Sequence, residues 1–412
     1  MPHTIEGAAP PRQWSLLSVL MIGGFTTALN VTMLSPLLTR IAAEFSISEA
    51  KAGQLATVTT LSSGVMALIA APWMDRYSRG AWIRFECVLL LLGSLLSAFA
   101  PSFGVLLGAR VIAGIGGAII GANCLAAVGD LYTNPHARNR ALGLVGTSFT
   151  LGAVVGLPLL TLIAEAASWR WAIGLLVPLT LIVMVGSFQL PRSAHAPGGP
   201  LWRGWAKGYA RVLRNAETVW LLVAMGALMV VWFGWLIYFG AYAERVFAVS
   251  AGMLSLLFLV GGGSEIVANN VAPLILRWYS ARRLGALAAA VTMLNLLVVG
   301  VVYTQDWALF PFIAIASAAG SFIFLCINIL LLDSLPSSRG AVMSLQSGSL
   351  EIGGAVGVAF AGGALAYFDD YEMVYRLLGL LAPLLVIAMV LSLRRGPATG
   401  AVASVAPSGA KR

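Results

Sequence analysis

The chain is a succession of apolar runs, each eighteen or more residues long and separated from the next by a short polar stretch. A helix needs about that length to cross the ~30 Å hydrocarbon core of a bilayer. Only a helix or a closed barrel satisfies its backbone there without water. Twelve runs are read, at about 14–37, 50–73, 82–100, 103–128, 141–164, 169–190, 218–242, 251–276, 284–303, 307–332, 341–367 and 372–393. With 59% hydrophobic and 10% charged residues, an ordinary soluble domain is excluded, because it has no place for that much apolar surface.

The runs fall into two sets of six built on one plan. Pro72 and Pro273 are 201 positions apart, each followed within a few residues by a cluster of arginines. Pro135 with Arg138 and Pro336 with Arg339 repeat that offset of 201, as do Gly152-x-x-x-Gly156 and Gly353-x-x-x-Gly357. One spacing shared by three separate landmarks marks an internal duplication. The expected organisation is a tail at 1–13, a six-helix bundle at 14–190, a linker at 191–217, a second six-helix bundle at 218–393 and a tail at 394–412. The fold class expected is all-α and membrane-spanning, with two pseudo-symmetric bundles. The linker opens on breakers (Pro191, Pro197, Gly198, Gly199, Pro200). It continues as a basic amphipathic stretch, with Trp202, Trp205 and Tyr209 among Arg203, Lys207, Arg211 and Arg214, as in a helix lying on the inner leaflet.

Charge sets the orientation. With the N-terminus inside, nineteen of the twenty-five Lys and Arg lie on the inner side, five on the outer, and Arg110 within a span. That bias places both termini in the cytoplasm and the chain in the cell inner (plasma) membrane. It turns the net charge of +9 into a rim facing anionic lipid headgroups rather than a nucleic-acid groove. Cys87, Cys124 and Cys326 lie inside apolar runs and read as packing residues. The three histidines sit in polar tails and loops, so no metal or cofactor site is expected. Gly261-Gly262-Gly263 lacks the Lys-Ser/Thr and the strand–helix context of a phosphate cradle. An enzyme would show catalytic clusters near an interface, and none is seen.

Between the second and third runs stands Ala71-Pro72-Trp73-Met74-Asp75-Arg76-Tyr77-Ser78-Arg79-Gly80. The fourth run carries Arg110-x-x-Ala113-Gly114-x-Gly116-Gly117, and the fifth Gly152-x-x-x-Gly156-Leu157-Pro158. These resemble motifs of the major facilitator superfamily, in its twelve-helix drug:proton antiporter-like branch. The loop lacks both glycines of the family pattern, Ala113 replaces the usual Gln, and Pro158 is displaced by one. The resemblance implies that Asp75, Arg76 and Arg79, with Asp130 and Arg138, latch the inner ends of the bundles in one conformation. The fifth-run stretch is similar to a signature associated with exporters, and Gly152, Gly156, Pro158, Gly353 and Gly357 are expected to serve helix packing.

Three ionisable side chains are read deep within spans: Arg110, Glu265 and Glu351. The third, sixth, ninth and twelfth helices are read as carrying none, and are expected to face lipid. A lone charge in hydrocarbon costs on the order of 3 kcal/mol or more, so it faces a partner or water. These three either couple protons in a central cavity or clamp helices together. Trp232, Trp235, Phe239 and Tyr242 share one helical face. They form either an aromatic wall for a lipophilic, planar or cationic substrate, or ordinary packing and interfacial belt. Asn30, Thr32, Asn123, Asn269, Asn270 and Asn328 offer hydrogen bonds, with Asn30, at the bend before Pro36, the best placed for substrate.

The function expected is alternating-access export of a small organic compound in exchange for protons. The alternative is uptake by proton symport or facilitated diffusion. Expected partners are that substrate, protons and anionic lipids, around a monomer.

Overall fold

The computed structural model describes residues 11–74, 78–132, 134–190, 201–335 and 338–392. Among these, twelve helical spans run back and forth through the molecule. Span 1 is Pro11–Thr32, a single turn Ser35–Leu37, and Leu38–Glu44. Span 2 is Glu49–Ala52 with Gln54–Met74, span 3 Arg79–Ala98, and span 4 Phe103–Gly117 with Ile120–Leu131. Span 5 is Pro135–Leu151, a widened turn Gly152–Gly156, and Leu157–Ala166; span 6 is Trp169–Gly174 with Leu176–Ser187. After a connecting helix Leu201–Arg214 come span 7 (Ala216–Phe247), span 8 (Ala251–Ile275), span 9 (Ala281–Leu297), span 10 (Leu309–Ser334), span 11 (Arg339–Phe368) and span 12 (Tyr371–Leu381 with Pro383–Leu391). Eleven are long and apolar enough to cross a membrane on those grounds alone. Span 9, at 17 residues, is at the short end of what suffices.

The breaks have local causes. Pro36 and Pro383 each open a new helical segment where a missing N–H costs nothing. Hydroxyl and amide side chains cap the entries: Ser78 accepts from Ala81 N–H, Asn134 from His136 N–H and Ala137 N–H, Ser280 from Arg283 N–H.

The duplication is visible in how the glycines pack. A Cβ on Gly152 would meet Ala28 Cβ at 2.7 Å and one on Gly156 would meet Leu29 Cδ1 at 2.5 Å, so span 5 lies directly on span 1. In the other half, Gly353 and Gly357 lie on the backbone of Gly226 and Val230, which seats span 11 on span 7 in the same way. Bare backbone lets helices approach where lipid gives no hydrophobic drive to associate. The end caps repeat as well. Arg170, opening span 6, donates to Ala100 O at 2.9 Å beyond span 3, while Arg376, in span 12, donates to Val299 O at 2.9 Å beyond span 9.

Between the halves, span 2 packs on span 11, span 5 on span 8, and span 1 on span 7. The third-helix expectation needs one correction. Span 3 does turn Phe85, Val88 and Leu92 outward, yet its inner face holds Glu86, wholly buried. Proximity to the helix start hid this carboxylate from the sequence reading.

Gly353→Val and Gly357→Val are expected to destabilise the detergent-solubilised protein by about 1–3 kcal/mol through overpacking. Gly146→Val, where a Cβ meets nothing within 4 Å, leaves the melting temperature unchanged. Thermal unfolding of the three variants checks this.

Candidate functional site: a cavity between the halves

A cavity of about 260 Å³ lies between the two bundles. Span 1 contributes Ala28 and Thr32, span 5 Phe149, Thr150 and Ala153, and span 7 Met229, Trp232, Phe233 and Leu236. Glu265 and Asn269 come from span 8, Gly320, Ser321 and Phe324 from span 10, and Leu350 from span 11. The wall is largely aromatic and aliphatic, with Glu265 its one ionisable group. No side chain or backbone group among the described residues hydrogen-bonds or ion-pairs with Glu265. Gly320 makes room for Trp232, since a Cβ there would overlap the indole ring. That ring is half-exposed to the cavity and meets Trp235 edge-on at 5.6 Å.

The other residues proposed for the site are placed differently. Trp235 and Phe239 do not line the cavity. Both are buried in the C-terminal bundle, Trp235 at 6.0 Å from Phe312 and Phe239 stacked on Phe312 at 5.9 Å and against Phe258 at 5.8 Å. Their shared helical face turns inward past the cavity edge, so only Trp232 reaches it. Arg110 is wholly buried within the N-terminal bundle and is absent from the cavity wall. Its Nε donates to Thr59 Oγ1 at 3.1 Å, and Nη2 donates to Asn30 O at 2.9 Å and Asn30 Oδ1 at 3.0 Å. Asn30 in turn donates to Ala113 O at 3.3 Å. Both ends of Asn30 are thus occupied by span 4, and it holds Arg110 rather than facing a ligand. Glu351 is also off the wall. It sits where span 11 touches span 2, its Cβ 3.0 Å from a Cβ built on Gly64, with Oε2 buried and without a hydrogen-bond partner.

Of the asparagines, Asn269 joins Thr32 on the wall. Asn123 donates to Glu86 Oε2 at 3.2 Å, and Asn328 accepts from Gln346 Nε2 at 2.6 Å. Phe149, Phe324 and Gly320 were not foreseen. A lone phenylalanine or glycine in an apolar run carries no mark of the neighbour it faces.

The two ends of the cavity differ. At the end opposite the connecting helix the halves are tied together. Ser35 Oγ donates to Leu236 O at 2.5 Å, the Thr39 hydroxyl donates to the Glu244 carboxylate, and Arg245 pairs with Glu49 at 2.5 Å. Gly53 lies under the Tyr238 hydroxyl, and Gly240 against Ser35 O. Arg40 pairs with Glu165 beside them. Toward the connecting-helix end the lining becomes accessible at Asn269 and Phe324. There Arg79 pairs with Asp130 at 3.6 Å, inside the N-terminal bundle. Arg138 is exposed and makes no ion pair among the described residues. Asp75 and Arg76 lie outside the described residues. Pro158 is held between halves by its carbonyl, which accepts from Ser255 Oγ at 3.3 Å.

Twelve spans in two duplicated halves, with a cavity between them, make this an all-α membrane protein of two pseudo-symmetric six-helix bundles. The chain belongs to the Major Facilitator Superfamily, whose family model matches residues 20–336. It is similar to the puromycin resistance protein pur8 of Streptomyces alboniger, 28% identical over 247 residues, which are 56% of this chain and 49% of that protein. It is also similar to the multidrug efflux pump LfrA of Mycolicibacterium smegmatis, 27% identical over 206 residues, or 48% of this chain and 41% of that protein. The matched stretch spans about half the length of these relatives or less. Among solved structures, a bacterial homologue of the human lysosomal transporter Spinster, in an inward-facing and unoccupied conformation, shares the fold. Its TM-score is 0.68 with 17% identity, covering 93% of this chain and 97% of that one. A D-xylose–proton symporter shares it at a TM-score of 0.70 with 17% identity, covering 93% and 98%.

The sealed end carries its own prediction. The Arg245–Glu49 pair is partly exposed and worth about 0.5–1 kcal/mol. Glu49→Gln should therefore raise the open population of that end roughly two- to fivefold. The rate at which a membrane-impermeant maleimide modifies a cysteine placed at Ser35 measures this, and an unchanged rate is the contrary result.

Proposed function

We propose that the protein exports a lipophilic organic cation across the cell inner membrane in exchange for protons, with Glu265 as the group that holds each in turn. The observation that carries this is a single unpaired carboxylate on a largely aromatic and aliphatic wall. Trp232, Phe149 and Phe324 offer ring faces to a cation, and Glu265 offers the opposite charge. The connecting-helix end is taken to face the cytoplasm, from the distribution of Lys and Arg.

With the cytoplasmic end open, ionised Glu265 accepts the cation. Once the halves rock and the far end opens, a proton from outside neutralises the carboxylate and the cation leaves. The neutral site then returns. Because proton and substrate compete for one group, neither crosses without the other being displaced. Arg110, fixed by Asn30 and Thr59, keeps spans 1, 2 and 4 together as that half moves. Glu351 lies in the seam between the halves, so their separation governs its access to water. This makes it the second carboxylate with a stake in proton movement. Asp75, Arg76, Arg79, Asp130 and Arg138 are assigned to the inner latch on the resemblance of their motif to the family's, with Arg79 and Asp130 already paired within the N-terminal bundle. The names of pur8 and LfrA accord with export. A sugar, as carried by the xylose symporter, needs more hydrogen-bonding groups than Thr32, Thr150, Asn269 and Ser321 supply.

The test uses inside-out membrane vesicles acidified within, with ethidium as the probe. Ethidium is expected to accumulate in vesicles bearing the protein. Glu265→Gln removes the charge partner, lowering ethidium affinity by about 2 kcal/mol, roughly thirtyfold, and abolishing gradient-driven accumulation. Undiminished accumulation in that variant rejects the role of Glu265, and proton-driven movement in the opposite direction favours uptake.

A further inference from the structure

Glu86 is a carboxylate that the exchange scheme leaves unused. It lies on span 3, wholly buried, and both of its oxygens are engaged by span 4. Oε1 accepts from Ile119 N–H at 3.0 Å and Oε2 from Asn123 Nδ2 at 3.2 Å. No cation pairs with it among the described residues.

Span 4 breaks at this point. The helix Phe103–Gly117 ends, Ile119 takes φ −131° and ψ 6°, and Ile120–Leu131 begins. Such a break strands the first N–H groups of the second segment, which hydrocarbon cannot satisfy. A carboxylate at a helix N-terminus is also favoured by the helix dipole. The two spans approach closely at backbone around it: a Cβ on Gly116 would meet Glu86 O at 2.9 Å, and one on Gly93 would meet Ala113 N at 2.5 Å. Glu86 is therefore held in place against the break. Before the break span 4 carries Arg110, bound to spans 1 and 2. After it span 4 carries Asp130, paired with Arg79.

We propose that Glu86 is a positioning residue for transport, whose carboxylate holds the break in span 4 and so fixes the segment bearing Arg110 relative to the segment bearing Asp130. It acts by accepting hydrogen bonds, not by carrying a proton. The inference rests on the chain being a transporter, and not on which substrate it carries.

The protein supplies its own reporters. Cys87 and Cys124 adjoin Glu86 and Asn123 in sequence, both are buried free thiols, and Cys326, also buried, lies in the other half. In native membranes treated with N-ethylmaleimide, Glu86→Ala is expected to raise labelling of Cys124 roughly tenfold and to leave Cys326 unchanged. Glu86→Gln keeps an acceptor for Ile119 N–H, and its amide can donate to Asn123 Oδ1, which now lacks a partner. It is expected to restore wild-type labelling at every pH tested. With ethidium in acidified vesicles, Glu86→Ala lowers the maximal rate and leaves the half-saturating concentration alone, since the cavity wall is untouched. Wild-type labelling in Glu86→Ala overturns the proposal, as does a Glu86→Gln variant as impaired as Glu86→Ala. Should Glu86→Ala fail to accumulate, Asn123→Ala removes one of the two bonds and raises Cys124 labelling to a smaller degree; no rise counts against the role. Because the labelling arm needs no substrate, a failure of the export scheme does not touch it.

Discussion

Every polar group inside a bilayer has to find its partner within the protein, and the arrangement of this chain follows from how each buried charge does so. Arg110 is satisfied by neutral oxygens of Asn30 and Thr59. Glu86 is satisfied by N–H donors from a broken helix. Glu351 has no partner for its Oε2 in the seam, and Glu265 has none among the described residues and lies on the cavity wall. A carboxylate left that way in low dielectric needs either a proton or a cation brought from outside. Under the proposed exchange, that unmet need is what couples the two.

The contacts that must persist and those that must break are chemically different. Within each half, helices meet at bare glycine backbone, as at Gly152 against Ala28 and Gly357 against Val230, and such close packing permits little adjustment. Across the sealed end Gly240 also meets Ser35 O, but most of the ties are hydrogen bonds and ion pairs made by side chains, among them Thr39 with Glu244 and Arg245 with Glu49, which can exchange for water. Rigid halves joined by soft ends are what rocking about a central site requires. The break in span 4 is held from span 3 by the Glu86 carboxylate.

The spans and the duplication were legible because hydropathy and a repeated offset are properties of the chain read in order. Asn269, Thr32, Glu265 and Trp232 were legible as polar or aromatic marks in apolar runs, and the structure puts all four on the cavity wall. Other positions were not. Helical spacing sets Trp235 and Phe239 on the face of Trp232, but does not say where along that face the cavity ends. Asn30 stands out in sequence, yet its neighbour Arg110 is 80 residues away and takes its side chain and carbonyl alike. Glu86 was hidden by its place near the start of span 3, where a carboxylate reads as interfacial. The far-end ties join residues such as Arg245 and Glu49, 196 positions apart, with no shared pattern to announce them.

If one carboxylate holds a proton and a cation alternately, calorimetric or dye-based counting of released protons will show it. When tetraphenylphosphonium is added to purified protein in weak buffer, at a pH where the empty site is protonated, roughly one proton should be released per cation bound, and none from Glu265→Gln. Binding of the cation with no proton released from the wild-type protein would contradict the account.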